Sequence, residues 1–258
     1  MGESAGPYQP EPGWETRWIK QALSLLASSP DAVSKFLFGV LALGAVSPVL
    51  TFAFPGFVGH VLATSLISAA GAFLAIWVIS ALMRSEGYPT VSRTDMICGR
   101  NDFLSGVFLV NTVIVTVSVV IYLSRVSAGA APVSASLPEK ALFDMMIWSG
   151  LFPVHSALVA GIVLNPLWVA LIPAQGYRFD AARFTQMKMA TRIKGVWSAI
   201  CAVLLIFANV SMVLPGSLSL VLTIVLIAWI YVAAREIFGG ITSNNVQSAK
   251  VAAKTREA

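Results

Sequence analysis

The chain has 258 residues, 57% hydrophobic and 11% charged, with a mean hydropathy of +0.80 and a formal net charge of +5. A soluble domain carries about 25% charged residues, so this composition excludes an ordinary water-facing surface. The basic balance does not call for nucleic acid. The cations flank apolar segments, where attraction to anionic lipid accounts for them.

Residues 1–13 are polar and rich in proline and glycine, which predicts a disordered tail. Glu3, Glu11 and the lack of a cleavage site after a short apolar core argue against a secretory signal. From Trp14 onward, Trp14, Trp18, Ala22, Leu25 and Leu26 recur at steps of three and four. That spacing predicts an amphipathic helix lying in a membrane interface, with both tryptophans on its apolar face. Pro30-Asp31 restarts the chain, with Asp31 placed to cap the next helix.

Six apolar stretches follow, at 36–54, 58–83, 103–124, 141–173, 196–213 and 218–234. A membrane span needs about 20 such residues. The expected fold is therefore all-α: a single polytopic bundle over 14–240 with six transmembrane helices plus interfacial amphipathic helices, and a polar tail at 241–258. Pro48 predicts a kink in the first span, and Pro55-Gly56 and Pro215-Gly216 predict tight turns. The 141–173 stretch would measure about 50 Å as one straight helix, against a hydrocarbon core of about 30 Å. Pro153, Gly161 and Asn165-Pro166 mark it as a bent or broken span. The 174–195 connection, with Phe179, Phe184, Met187 and Ile193 between its cations, predicts a second interfacial helix.

Charge fixes the orientation. Of seventeen Lys and Arg, only Arg125 and Lys140 fall on one side of this six-span layout. Cationic loops stay cytoplasmic, so both termini are expected inside. A two-pass reading of 141–173 would move Arg178, Arg183, Lys188, Arg192 and Lys194 outside, against the same rule. Those five cations form the candidate cytoplasmic contact surface. A basic amphipathic segment, a span, a Pro-Gly turn and a second span occur at 14–83 and again at 178–234, the pattern of a parallel repeat.

Ionisable groups inside a span are the first place to look for function, since charge in hydrocarbon costs about 2.5–3.5 kcal/mol on insertion scales. The candidate intramembrane polar site comprises Asp144, His155 and Asn165. Asp144 and His155 share a face on an unbroken helix but stand about 16 Å apart along it. Asn165-Pro166 would free backbone carbonyls for an ion or polar substrate. His60, Asn111 and Asn209 read more simply as headgroup or interhelical hydrogen-bonding residues. Cys98 and Cys201 fit no disulfide or metal spacing. No metal-type cluster, G-x-S-x-G elbow, P-loop or H-E-x-x-H occurs, so no catalytic residue and no cofactor is expected.

Gly13-Trp14 with Trp18, the later basic helix and the closing stretch from Tyr231 to Phe238 are similar to bacterial inner-membrane proteins with six spans and an N-terminal Gly-Trp amphipathic helix. The resemblance implies a bacterial inner membrane and supplies no activity or site residue. The expected function is that of a non-enzymatic membrane protein acting through contacts with the lipid bilayer, other membrane proteins or itself, as an assembly or accessory subunit or an immunity- or regulation-type partner. A small transporter or channel at the broken fourth span, and a lipid-modifying membrane enzyme, are the alternatives.

Overall fold

A computed structural model describes residues 7–53, 57–88, 90, 192–214 and 216–237, with residues 112–113, 116–117 and 120–130 between them. Among these residues every regular element is helical. The helices are α1 (Trp14–Ser28), α2 (Pro30–Ala53), α3 (Phe57–Ser85), α4 (Lys194–Val213) and α5 (Gly216–Ile237), with helical residues also at 120–127. Among the described residues, α5 is long and apolar enough to cross a membrane, and α1 with residues 30–46 of α2 makes a second such span if counted as one broken helix.

Local chemistry sets the helix boundaries. Gly13 precedes α1 at φ 80°, a left-handed conformation that glycine adopts without the Cβ penalty. Between α1 and α2 the chain turns by 87°. Ser29 is the junction, and Pro30 takes the first helical position, where its missing N–H costs nothing. This corrects the placement of Asp31. It sits inside the first turn, where a carboxylate favours the positive end of the helix, and pairs with Lys35 one turn on. α2 runs on past Pro48 to Ala53.

The end of α3 is a complete Schellman motif. Gly87 at φ 78° donates its N–H to the Arg84 carbonyl (3.0 Å), and Tyr88 donates to the Met83 carbonyl (3.0 Å). The motif ends the helix sharply and holds Glu86 at the C-cap. α2 and α3 pack as a hairpin in which the Leu74 side chain is seated directly on Gly39, leaving no room there for a Cβ.

Among the described residues, the buried core gathers where α1, α3, α4 and α5 meet. It joins Trp18, Ala22 and Leu25 of α1, Phe36 of α2, Leu74 to Met83 of α3 except Trp77, Val196 and Ile200 of α4, and most of α5 from Ile224 onward. α5 contacts α1, α3 and α4 there, which explains why its second half is apolar on every face. Its first half is different: Leu218, Val221 and Leu222 are exposed.

The α1 face formed by Trp18, Ala22 and Leu25, expected to lie in lipid, is covered by α5. Its periodicity is as read, but its cover is protein. Residues 7–13, assigned by sequence to a disordered tail, include the buried prolines Pro7 and Pro10, and Tyr8 donates its N–H to the Ile237 carbonyl at 2.7 Å.

Candidate functional site at the shared helix end

Two carboxylates organise the end of the bundle where α1, α3 and α5 meet. Glu86 is the C-cap residue of α3, and Glu236 lies in the last turn of α5. Both occupy the negative end of a helix macrodipole, where a carboxylate is disfavoured. Each is held there by donors from other elements. Trp18 Nε1 donates to Glu236 Oε2 at 2.6 Å, and the Arg17 guanidinium pairs with the same carboxylate. Tyr231 Oη donates to Glu86 Oε2 at 2.6 Å, and Arg235 pairs with the other oxygen. Arg235 Nη2 also donates to Gln21 Oε1 of α1 at 3.1 Å.

Two polar clusters, one on each carboxylate, thus join the three helices. α1 supplies Arg17, Trp18 and Gln21; α5 supplies Tyr231, Arg235 and Glu236; α3 supplies Glu86. Ser29 and Ser85 share a hydrogen bond at 2.6 Å beside it. Aromatic packing supports the network from within the core. Trp18 is fully buried and meets Trp229 edge to face at 5.6 Å, with Trp14 tilted against it at 4.4 Å. A buried indole N–H needs an acceptor, and Glu236 is that acceptor.

A cleft of about 280 Å³ opens among Gln21, Ser24, Ser28, Ser85, Glu86 and Arg235. The charged groups on its wall are already matched: each carboxylate has a guanidinium and a neutral donor on it. Such an arrangement joins helices. It presents no unengaged carboxylate as base or nucleophile, and no group of three His, Cys, Asp or Glu able to hold a metal occurs among the described residues.

The sequence-derived sites fare differently. Asp144, His155, Asn165, Arg178, Arg183 and Lys188 lie outside the described residues. Arg192 and Lys194 are described, and both are exposed at the start of α4. There Ile193 offers no side-chain cap to the helix N-terminus. Cations at that end are disfavoured by the macrodipole, so their placement does not serve the helix itself. The network around Glu86 and Glu236 was missed by the search for charge inside spans. Its signal was present: an acidic residue at the C-terminal end of each of two apolar helices, a position that calls for a cation from elsewhere.

No protein-family profile, curated protein or solved structure matches the chain. The resemblance to six-span inner-membrane proteins therefore rests on the quoted residues alone.

Proposed function

We propose that this chain is a six-span integral protein of a bacterial inner membrane, with both termini cytoplasmic, that works without catalysis through contacts with other membrane proteins, with copies of itself, or with lipid. The observation that carries this reading is the outward placement of large apolar side chains on all four long described helices. Phe38 is 67% and Leu41 73% exposed, joined by Leu66 and Trp77 on α3, Ile206 on α4 and Val221 on α5. A water-soluble fold this size keeps such surface in scattered singles or patches of a few hundred Å². Lipid removes the penalty.

The polar network supports the same reading. Its charges gather at one end, where a bilayer becomes headgroup and water, and leave the outward helix faces apolar. α2 and α3, with 24 and 29 residues, have the length of spans. The breaks between α2 and α3 and between α4 and α5 fall, in sequence, at Pro55-Gly56 and at Pro215, where the six-span layout needs them. Exposed Arg192 and Lys194 belong to the basic connection assigned to the cytoplasmic face, where a partner or anionic headgroups would meet them.

Two measurements test this. With Cys98 and Cys201 replaced by serine, Ala130→Cys should react with a membrane-impermeant maleimide in intact cells, and Arg93→Cys should react only after lysis. The reverse pattern would overturn the topology. Affinity purification of the full chain from native membranes, after cross-linking, should yield a stoichiometric partner or a defined oligomer. A monomer carrying neither protein nor lipid would sink the contact function.

A further inference from the structure

The α2–α3 hairpin carries a groove that the polar network does not use. Gly39, Leu43, Ala70, Phe73, Leu74 and Trp77 line about 300 Å³ of open, almost wholly apolar space. The lining residues follow helical steps: 39 and 43 on α2, and 70, 73, 74 and 77 on the antiparallel α3. The groove therefore runs along the helix axes. Leu74 is seated on Gly39 and forms the floor with the small Ala70, and the Phe73 and Trp77 rings stand beside it, both partly exposed.

One end of the groove is charged. Lys35, one turn before Gly39, holds its ammonium 5.8 Å from the centre of the Trp77 ring and pairs with Asp31. The Asp31 side chain is 62% exposed. A cation and an anion thus stand side by side at the mouth of an apolar channel. From Lys35 to Leu43 the channel rises about 12 Å, most of one leaflet of a hydrocarbon core about 30 Å thick.

Resting on the membrane reading above, we infer that this groove binds one diacyl phospholipid with a phosphoethanolamine headgroup. An acyl chain lies along the hairpin over Leu74, beside Leu43, Ala70 and the Phe73 and Trp77 rings. The lipid phosphate accepts a hydrogen bond from Lys35, which has three N–H donors and spends one on Asp31. The lipid ammonium donates to the exposed Asp31 carboxylate. Charge complementarity selects the headgroup: a phosphoglycerol group offers Asp31 no cation, and a phosphocholine group offers it no N–H. The groove supplies apolar burial that any acyl chain would share, so the Asp31–Lys35 pair carries the discrimination.

The test is native mass spectrometry of the full chain, purified in mild detergent and re-equilibrated with equal amounts of phosphatidylethanolamine, phosphatidylglycerol and phosphatidylcholine. The wild-type chain should retain one phosphatidylethanolamine, with a preference of about tenfold, the scale of one charge-assisted hydrogen bond. Ala70→Phe, which fills the floor, should lose the bound lipid. The exposed change Asp31→Asn should keep a lipid and lose the headgroup preference without altering thermal unfolding, and Lys35→Gln should likewise keep a lipid and lose the preference. A wild-type chain that shows no preference, or that prefers phosphatidylglycerol, overturns the inference while leaving the membrane reading intact. So does equal retention by wild type and Ala70→Phe. Release of the chain from membranes by carbonate washing would overturn both.

Discussion

The two halves of α5 are both rich in aliphatic side chains and live in different surroundings. From Gly216 to Thr223, leucine and valine side chains face outward; from Ile224 to Ile237 nearly every residue is buried against α1, α3 or α4. Hydrophobicity alone does not separate them. The difference lies in which neighbours reach each half. Where α1 crosses, the helix gains Trp18 against Trp229, a carboxylate satisfied from outside and a carbonyl satisfied by Tyr8. The first half has no such fasteners among the described residues, and its outward side chains suit lipid. One helix thus serves as packed core at one end and presents exposed apolar side chains at the other.

The contrast breaks most sharply at Trp18. Trp18→Ala should destabilise the detergent-solubilised chain by about 3–5 kcal/mol, the cost of removing a fully buried aromatic, and should leave Glu236 without a donor as well. Thermal unfolding followed by near-ultraviolet circular dichroism measures this, and a shift within error of wild type would mean that α1 does not hold the end together. Glu236→Gln should cost less, about 1–2 kcal/mol, because both Arg17 and Glu236 keep partial access to solvent that screens their pairing. Combining it with Arg17→Gln in a double-mutant cycle isolates the ion pair, and additive effects would show that the two side chains are not coupled. At the other end of the same helix, Val221→Ser should change unfolding by less than about 0.5 kcal/mol, as for an exposed site. A large loss there would reveal that this half is packed against protein.

Much of the helical layout is readable in the residues themselves. Pro55-Gly56 falls between α2 and α3 and Pro215 between α4 and α5, and the three- and four-residue steps of Trp18, Ala22 and Leu25 mark the buried side of α1. Periodicity identifies a face, however, and not what covers it. Tryptophan suits a membrane interface and a protein core equally, since each offers apolar contact for the ring and an acceptor for its N–H. Hence α1 reads from sequence as a lipid-bound helix and is found against α5.

The polar network was harder to see for a different reason. Arg17 and Glu236 are 219 residues apart, and Tyr231 and Glu86 are 145 apart. No local pattern joins residues so distant. Counting cations by loop also treats Arg17 and Arg235 as orientation signals, although both are engaged in ion pairs. The exposed Arg192 and Lys194 are closer to what that count assumes. Asp144, His155 and Asn165 were chosen on the cost of charge in hydrocarbon, and their part of the chain is not among the described residues.

The hydrogen bond from Tyr8 to Ile237 and the seating of Trp18 on α5 also impose an order on biogenesis. A ribosome makes α1 before α5, and chains fold as their parts emerge. Throughout the synthesis of some two hundred intervening residues, the tryptophan face of α1 has no permanent cover and must rest on whatever surface is at hand. Completion of α5 ends that wait and closes the molecule on itself. The latch between these two segments therefore depends on α5 being made: a chain that stops short of Trp229 leaves the Trp18 ring without its edge-to-face partner.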